Sequence, residues 1–243
     1  MLPTSSLPVP VRPEVTESQA LAWKRLSQAG SWWSGAVRVA IVAEARQAHT
    51  CALCRERKNA LSPYGLPGRH LDAGPIAAPY VDAIHRIVTD PGRLTECWLD
   101  ELREEGLEDG PYIELVGVVV TSLCVDVFYR TLGLPLPELP VPEAGAPSGY
   151  APESASKDVA WVPMVPPDVG LEDVYDGNPI IPYVRQALSL VPDEMRNLVR
   201  MEVSHYLPLE AMRRPGDNAG HALDRMQLEF LAARVSYLHD CFY

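Results

Sequence analysis

The sequence has no cluster of basic residues. Its 243 residues carry a formal net charge of −11, from 21 Lys and Arg against 32 Asp and Glu. Nucleic acids and anionic lipid surfaces are bound by basic patches, so the charge pattern argues against both as partners. The first 14 residues, MLPTSSLPVPVRPE, also lack the charged-then-apolar pattern of a secretory signal. We therefore expect a cytoplasmic protein.

Long hydrophobic runs are lacking as well. The most apolar stretch, residues 113–127, is interrupted by Glu114 and Asp126, and it is too short and too charged to span a bilayer. Only five cysteines are present, and this odd number does not match a secreted disulfide framework. We expect two of them, Cys97 and Cys124, to be buried and reduced.

No segment is convincing as a strand, and the chain is predicted to be all-α. Several valines in residues 111–132 would suit a strand, but the periodic pattern extends over about six turns, well beyond a usual strand. The first helix is predicted to begin at a Thr16-x-x-Gln19 capping box and to end at Gly30. Further helices are predicted over residues 34–49, 50–60, 80–88, 95–105, 111–132, 180–190, 192–206 and 221–238.

Prolines divide the chain. Nine of them lie between residues 135 and 167, a density that no helix or central strand tolerates. We interpret 135–167 as a linker or a strap over a surface, which separates a helical domain (16–134) from a second helical segment (168–243). Residues 1–15 are expected to form an extended arm. The turn-rich passage 62–79 is long for a plain connection, so it is expected to cover a site or a partner.

The most informative motif is a Cys-x-x-Cys, formed by Cys51 and Cys54, at the junction of two predicted helices. Thr50 is the predicted N-cap of the second helix, which places both cysteines in an exposed first turn. The positive end of a helix favours a thiolate over a thiol, so a pair that cycles between dithiol and disulfide is the first interpretation. A metal half-site and inert cysteines remain as alternatives. A zinc site would need two further ligands; no second Cys-x-x-Cys or His-x-x-x-His supplies them, although His49 and His70 are near in sequence.

The helix that leads into this motif, together with residues 90–133, resembles the alkylhydroperoxidase D and carboxymuconolactone decarboxylase superfamily. The downstream part, DPGRLTECWLDELREEGLEDGPYIELVGVVVTSLCVDVFYRTLG, is similar to the family's pair of helices after the motif. The resemblance covers roughly residues 34–140 and implies a helical bundle that forms homo-oligomers. It implies a thiol-dependent peroxidase or disulfide oxidoreductase, in which Cys54 attacks a small-molecule peroxide, Cys51 resolves it and an external dithiol restores the pair. No cofactor or metal is expected.

The proton relay of the family is altered in this sequence. The family has a Glu twelve positions before the first Cys and a His four positions after the second, and here those positions hold Val39 and Lys58. Glu44 lies seven residues before Cys51, which is close to two helical turns. His49 lies next to the motif, two residues before Cys51. These two residues are the local candidates for a catalytic base. Lys58 is expected to lower a thiol pKa.

The end of the chain carries a second, partial match. Glu229 lies twelve positions before Cys241, which is the family's spacing. Both residues are therefore catalytic candidates, and we predict two tandem copies of the fold with the second one incomplete. His85, in the predicted helix 80–88, is interpreted as a core or interface histidine.

Two other functions stay open at this point. A non-redox enzyme similar to carboxymuconolactone decarboxylase would not need the cysteine pair. A non-catalytic helical oligomerisation protein would account for the missing Glu and His of the relay.

Overall fold

The computed structural model describes residues 7–72, 74, 76–179, 181–239 and 241. These residues form eleven α-helices and two short 3₁₀ turns, and they contain no strand apart from one isolated antiparallel bridge between Ser156 and Met164. The predicted all-α class is confirmed. Of the expected N-terminal arm, residues 1–6 lie outside the described residues.

The helices are α1 (Pro13–Leu26), α2 (Gly35–Ala48), α3 (Ala52–Asn59), α4 (Ala78–Thr89), α5 (Glu96–Glu104), α6 (Asp109–Thr131), α7 (Pro167–Gly170), α8 (Tyr183–Gln186), α9 (Pro192–His205), α10 (Leu209–Met212) and α11 (Arg225–Leu238). The 3₁₀ turns are Pro63–Gly65 and Pro91–Arg93.

Two helices differ clearly from the sequence-based expectation, one in its start and one in its length. The first helix begins at Pro13 rather than Thr16, because proline at the first helical position is already set to a helical φ. The Thr16 hydroxyl donates to the Pro13 carbonyl instead of capping. The helix expected over 180–190 shrinks to the single turn α8.

Helix α6 is the centre of the core. It packs against four other helices, α1, α2, α4 and α9. Leu115, Val118 and Val119 of α6 are fully buried, as are Ile41 and Val42 of α2. Each such side chain stabilises the fold by about 1.5–3 kcal/mol relative to an exposed one, so this packing fixes α2 and α4, the two helices that border the site.

The length and composition of α6 would also suit a membrane span, and among the described residues it is the one helix for which this holds. However, 67% of its most apolar window is buried within the protein. Its acidic residues are paired: Glu114 with Arg38, and Asp126 with Arg46 through two hydrogen bonds of 2.7 and 2.9 Å. Such burial against protein is the pattern of a core helix.

A buried ion cluster joins three helices. Arg38 of α2 contacts Glu114 of α6 at 2.5 Å and Glu194 of α9 at 2.9 Å, and all three side chains are at most 2% exposed. Glu114 also accepts a hydrogen bond from the backbone N–H of Trp32 at 2.6 Å. The space beside this cluster needs glycine, since a Cβ at Gly30 would lie 1.9 Å from Glu114 Oε1.

The proline-rich segment lies over the connection between α1 and α2. The backbone N–H of Glu143 donates to the carbonyl of Ser27 at 2.7 Å, and that of Gly149 donates to Ser31 at 2.7 Å. Beyond the segment, Val174, Leu188 and further apolar residues are buried in the same core as α2, α4 and α6. The two helical parts of the chain thus share one core in the described residues.

Candidate functional site

The Cys-x-x-Cys motif lies where α2 passes into α3. Cys51 is the N-cap of α3, and Cys54 is the third residue of that helix. The predicted cap at Thr50 is wrong, because its hydroxyl donates to the carbonyl of Gln47 at 3.0 Å and so completes the end of α2. Both cysteines therefore lie at the N-terminal turn of α3, as expected. The helix begins one residue later than predicted, so Cys51 is its N-cap and not its first helical residue.

Both thiols are buried, whereas an exposed turn was expected. Cys51 is 2% exposed and Cys54 is 3% exposed. They line a cavity of about 850 Å³, whose other lining residues include Arg55, Thr89 and, from the end of α11, Leu238. The cavity is large enough for a small molecule, and both cysteines lie in its wall.

Hydrogen bonds make Cys51 more acidic than an ordinary thiol. Burial raises the pKa of Cys51, but the backbone N–H groups of Cys54 and Leu71 and the ring of His70 outweigh burial and lower the pKa to about 7. The cause is local hydrogen bonding to the charged form. Lys58, which the sequence suggested for this effect, is exposed, and it is not among the groups that shift the pKa of Cys51.

A buried chain of three side chains leads away from Cys54. The Nδ1 atom of His85, on α4, lies 3.1 Å from Cys54 Sγ, and its Nε2 atom lies 2.7 Å from Glu44 Oε1 on α2. His85 and Glu44 are both 0% exposed. A carboxylate only accepts hydrogen bonds, so the neutral His85 ring carries its proton on Nε2 and turns a lone pair on Nδ1 towards the sulfur. Burial lowers the pKa of His85, which favours this neutral ring, although Glu44 opposes the effect.

A second histidine arrives from the turn-rich passage. His70 Nδ1 lies 3.4 Å from Cys54 Sγ and 3.6 Å from Cys51 Sγ, so it contacts both sulfur atoms. Its Nε2 lies 2.8 Å from Asp82 Oδ1. Burial lowers the pKa of His70, but hydrogen bonds to Asp82 and to the two cysteines raise it to about 10.

Asp82 is itself held firmly. It accepts hydrogen bonds from Arg57 Nη1 at 2.8 Å and from Trp98 Nε1 at 2.7 Å. Burial raises the pKa of Asp82, but the hydrogen bonds from His70, Trp98 and Arg57 outweigh burial and lower it below its usual range. The ionised Asp82 therefore fixes the ring of His70 from behind. Arg57, rather than Lys58, is the basic residue that reaches this centre.

The two cysteines and two histidines converge on one point. One ligand atom of each of Cys51, Cys54, His70 and His85 lies within 4.8 Å of all the others. The two imidazole rings are 4.2 Å apart, centre to centre. The arrangement can move a proton between sulfur and ring nitrogen, and its four donor atoms can also hold a metal ion.

The other site residues predicted from the sequence are not at this centre. His49 lies at the solvent-exposed end of α2 and lines the same cavity, where partial desolvation of the ring and the charge of Arg130 lower its pKa. The carboxylate of Glu229 accepts hydrogen bonds from Arg225 Nε, at 2.6 Å, and from the hydroxyl of Tyr206. Cys241 is exposed. Of the six predicted site residues, the structure brings together Cys51, Cys54 and Glu44.

The expectation that Cys97 and Cys124 are buried is wrong, since both are exposed. Cys97 lies on the short amphipathic helix α5, whose buried face is formed by Trp98, Leu99 and Leu102. Cys124 lies on the side of α6 that is turned away from the core.

The sequence analysis did not single out Asp82, and it mentioned His70 only as a neighbour of the motif in sequence. His85, which was interpreted as a core or interface histidine, is indeed buried, and in addition it contacts Cys54. Asp82 and His85 are three residues apart in α4, a spacing that puts them on one face of a helix, and this signal was available. His70 had no comparable signal, apart from the unusual length of the passage that carries it.

No family model, no curated protein and no solved structure matches this chain.

Proposed function

We propose that the protein is a thiol-dependent peroxidase or disulfide oxidoreductase that uses Cys54 as the attacking sulfur and Cys51 as the resolving sulfur. The observation that carries the proposal is the buried chain from Cys54 through His85 to Glu44, with distances of 3.1 and 2.7 Å. A reactive thiol needs a base that removes its proton and a third group that orients the base, and this chain provides both.

The first half of the reaction is the oxidation of Cys54. His85 Nδ1 takes the proton of the thiol, and Glu44 stabilises the imidazolium that forms. The thiolate attacks one oxygen of the peroxide, the O–O bond breaks, and the proton on His85 passes to the departing oxygen. The products are an alcohol, or water from hydrogen peroxide, and a sulfenic acid at Cys54.

The second half closes the disulfide. The thiolate of Cys51 attacks the sulfenic sulfur of Cys54 and displaces hydroxide, which leaves as water with the proton of Cys51. Two thiols thus supply two electrons and two protons to one peroxide. An external dithiol then reduces the disulfide by thiol–disulfide exchange and becomes oxidised itself.

The cavity supports a small peroxide as the substrate. Its volume is about 850 Å³, and both cysteines lie in its wall beside polar residues such as Thr89 and Arg93. Because the pair must be returned to the dithiol form by a dithiol, a reducing compartment such as the cytoplasm is the location that we propose. We further propose that the chain forms a homo-oligomer, since α11 has no buried residue and exposes Phe230, Val235 and other apolar side chains.

The proposal is tested by counting thiols before and after stoichiometric peroxide. The chain is used with Cys97, Cys124 and Cys241 replaced by serine, so that only the pair can react. We expect two thiols to be lost together and peptide mapping to locate a Cys51–Cys54 disulfide. In a Cys54→Ser variant, the remaining thiol of Cys51 should not be oxidised at this rate.

Two outcomes would overturn the proposal. One is oxidation no faster than that of a small free thiol. The other is full retention of a different, non-redox activity in a Cys51→Ser, Cys54→Ser double variant, which would place the protein with the lactone decarboxylases. Absence of turnover with several peroxides and dithiols, together with a stable oligomer, would favour a purely structural role.

A further inference from the structure

The same four side chains have a second capacity that does not depend on peroxide chemistry. We propose that the reduced centre binds one Zn²⁺ through Cys51 Sγ, Cys54 Sγ, His70 Nδ1 and His85 Nδ1. Two thiolates and two imidazoles are a typical ligand set of tetrahedral zinc.

The distances between the donor atoms fit such an ion. With Zn–S bonds of about 2.3 Å and Zn–N bonds of about 2.0–2.1 Å, a tetrahedral site separates sulfur from nitrogen by roughly 3.6 Å. Three of the four sulfur–nitrogen pairs are 3.1 Å (Cys54–His85), 3.4 Å (Cys54–His70) and 3.6 Å (Cys51–His70) apart. All four donor atoms lie within 4.8 Å of one another, so only small movements of the side chains are needed to reach bonding distance.

The way in which His70 faces both sulfur atoms favours a metal over a simple hydrogen bond. A single N–H group makes its best hydrogen bond when it is aimed at one acceptor, but the Nδ1 atom of His70 is almost equally far from Cys54 Sγ and Cys51 Sγ. A position shared between two sulfur atoms is the one that a common central ion would give. His85, on α4, also directs its Nδ1 atom at Cys54 Sγ.

Each histidine also has the partner that zinc-binding histidines require. Nε2 of His70 lies 2.8 Å from Asp82, and Nε2 of His85 lies 2.7 Å from Glu44. A carboxylate on the far nitrogen fixes the tautomer and the ring orientation and makes the near nitrogen a better ligand. The presence of this feature on both rings is an independent sign of a built metal site, since a thiol pair alone needs only one base.

The charges select the kind of ion. Two thiolates and two neutral rings balance a divalent cation, and sulfur ligands exclude hard cations such as Mg²⁺ and Ca²⁺. With four protein ligands the site would have no open position, which is the arrangement of structural zinc. Zinc would therefore fasten the passage that carries His70, and the start of α3, to α4.

One consequence links the metal to the redox pair, and this consequence alone rests on the proposed function. One peroxide oxidises Cys51 and Cys54 to a disulfide and takes up two protons from solvent. The zinc ion then loses two of its four ligands and is released. The electrons come from the two thiolates, and the products are alcohol and water.

The test uses the full chain, reduced and freed of metal with a chelator. Co²⁺ is added first as a spectroscopic probe, and Zn²⁺ is then added to displace it. We expect one Co²⁺ per chain, with the intense visible bands of a tetrahedral ion and a thiolate-to-cobalt charge-transfer band in the near ultraviolet. Zn²⁺ should abolish both signals at one equivalent.

Variants show whether the ion lies at this centre. Asp82→Asn and Glu44→Gln, which remove partners of the rings but no ligand, should each weaken Zn²⁺ binding by about 10- to 100-fold. Cys51→Ser should change the charge-transfer band. His49→Gln is the matched control, because His49 lines the same cavity but is not at the centre, and it should bind Zn²⁺ as the parent protein does. Circular dichroism of each variant confirms that it is folded.

A cobalt spectrum without thiolate charge transfer, or equal Zn²⁺ affinity in Asp82→Asn, Cys51→Ser and the parent, would overturn the zinc proposal. The outcome is independent of the peroxidase proposal. If the protein consumes peroxide but binds no Zn²⁺, only the peroxidase proposal is supported. If it binds Zn²⁺ but is inert to peroxide, only the zinc proposal is supported.

Discussion

His85 and Glu44 form a contact of 2.7 Å between two helices, and neither side chain is exposed to solvent. A buried polar pair is costly unless it is fully bonded, and the remaining nitrogen of His85 finds its partner in Cys54. The pair therefore places an oriented imidazole against a thiol, and the packing of α2 on α4 keeps it there.

Replacing Glu44 by glutamine tests this orientation. An amide cannot stabilise an imidazolium as a carboxylate does, so we expect peroxide turnover to slow by roughly 10- to 1000-fold, at or below the usual effect of a general base. Steady-state kinetics with a dithiol reductant measures the change. Glu229→Gln is the matched control, since Glu229 is bonded to Arg225 away from the centre. If both variants turned over like the parent, Glu44 would have no part in the relay.

The buried cluster of Arg38, Glu114 and Glu194 should be sensitive to the loss of its cation. Arg38→Met leaves two buried carboxylates without their charge partner, and we expect it to lower the free energy of unfolding by about 3–5 kcal/mol. Urea denaturation measures the loss. Arg196→Met is the control, because the Arg196–Asp176 pair is exposed and should contribute at most about 1 kcal/mol. Equal effects of the two variants would contradict the assigned role of the cluster.

Gly30 should not tolerate alanine. The added methyl group would lie 1.9 Å from Glu114 Oε1 and 2.6 Å from Arg38 Nη1, and forced overpacking of this kind typically costs about 1–3 kcal/mol. The midpoint of thermal unfolding should fall accordingly. Gly65→Ala serves as the comparison, since a Cβ there meets no atom within 4 Å. An unchanged midpoint in Gly30→Ala would mean that the cluster has room to shift.

His205 should make the protein less stable in mild acid. Burial lowers the pKa of His205, and nearby Arg12 lowers it further, although the Met201 carbonyl opposes this. The ring nitrogen that faces Gln19 at 2.8 Å accepts from the amide only while the ring is neutral. Because the folded pKa is below the unfolded value of about 6.5, this stabilisation is present above pH 6.5 and is lost as the pH falls through and below it.

The measurement is urea denaturation of the parent and of His205→Gln at pH 7.5 and at pH 5.5. The parent should lose more stability between the two conditions than the variant. An equal loss in both proteins would assign the acid sensitivity to other groups.

Much of the fold could be predicted from the sequence, because helices depend on local signals. A helix was predicted over residues 95–105, and the structure has α5 there, with the hydroxyl oxygen of Thr95 accepting from the backbone N–H of Trp98 at its start. The periodic apolar pattern likewise predicted α6 to within two residues at its start and one at its end. The helix prediction for residues 180–190 was wrong, since only α8 is helical there. Its apolar residues Leu188 and Leu190 are buried in the core although they are not part of a helix.

The candidate site was predictable in part. Cys51, Cys54 and Glu44 follow from spacing along two consecutive helices. The partner of Glu44 does not, since His85 is 41 residues away and is brought to it only by the packing of α4 on α2. His70 reaches the cysteines through an irregular passage, whose path no periodic pattern specifies.

The central claim is that His85 and Glu44 activate Cys54, and a single-turnover experiment tests it most directly. The protein carries Cys51→Ser together with serine at Cys97, Cys124 and Cys241, and is metal-free, so that Cys54 is the only thiol and its sulfenic acid cannot be resolved. Peroxide is added and the sulfenic acid is trapped with a dimedone probe. We predict a rate at least about 100-fold above that of free cysteine at the same pH, falling when Glu44→Gln is added. A rate equal to that of free cysteine, unchanged by Glu44→Gln, would contradict the account.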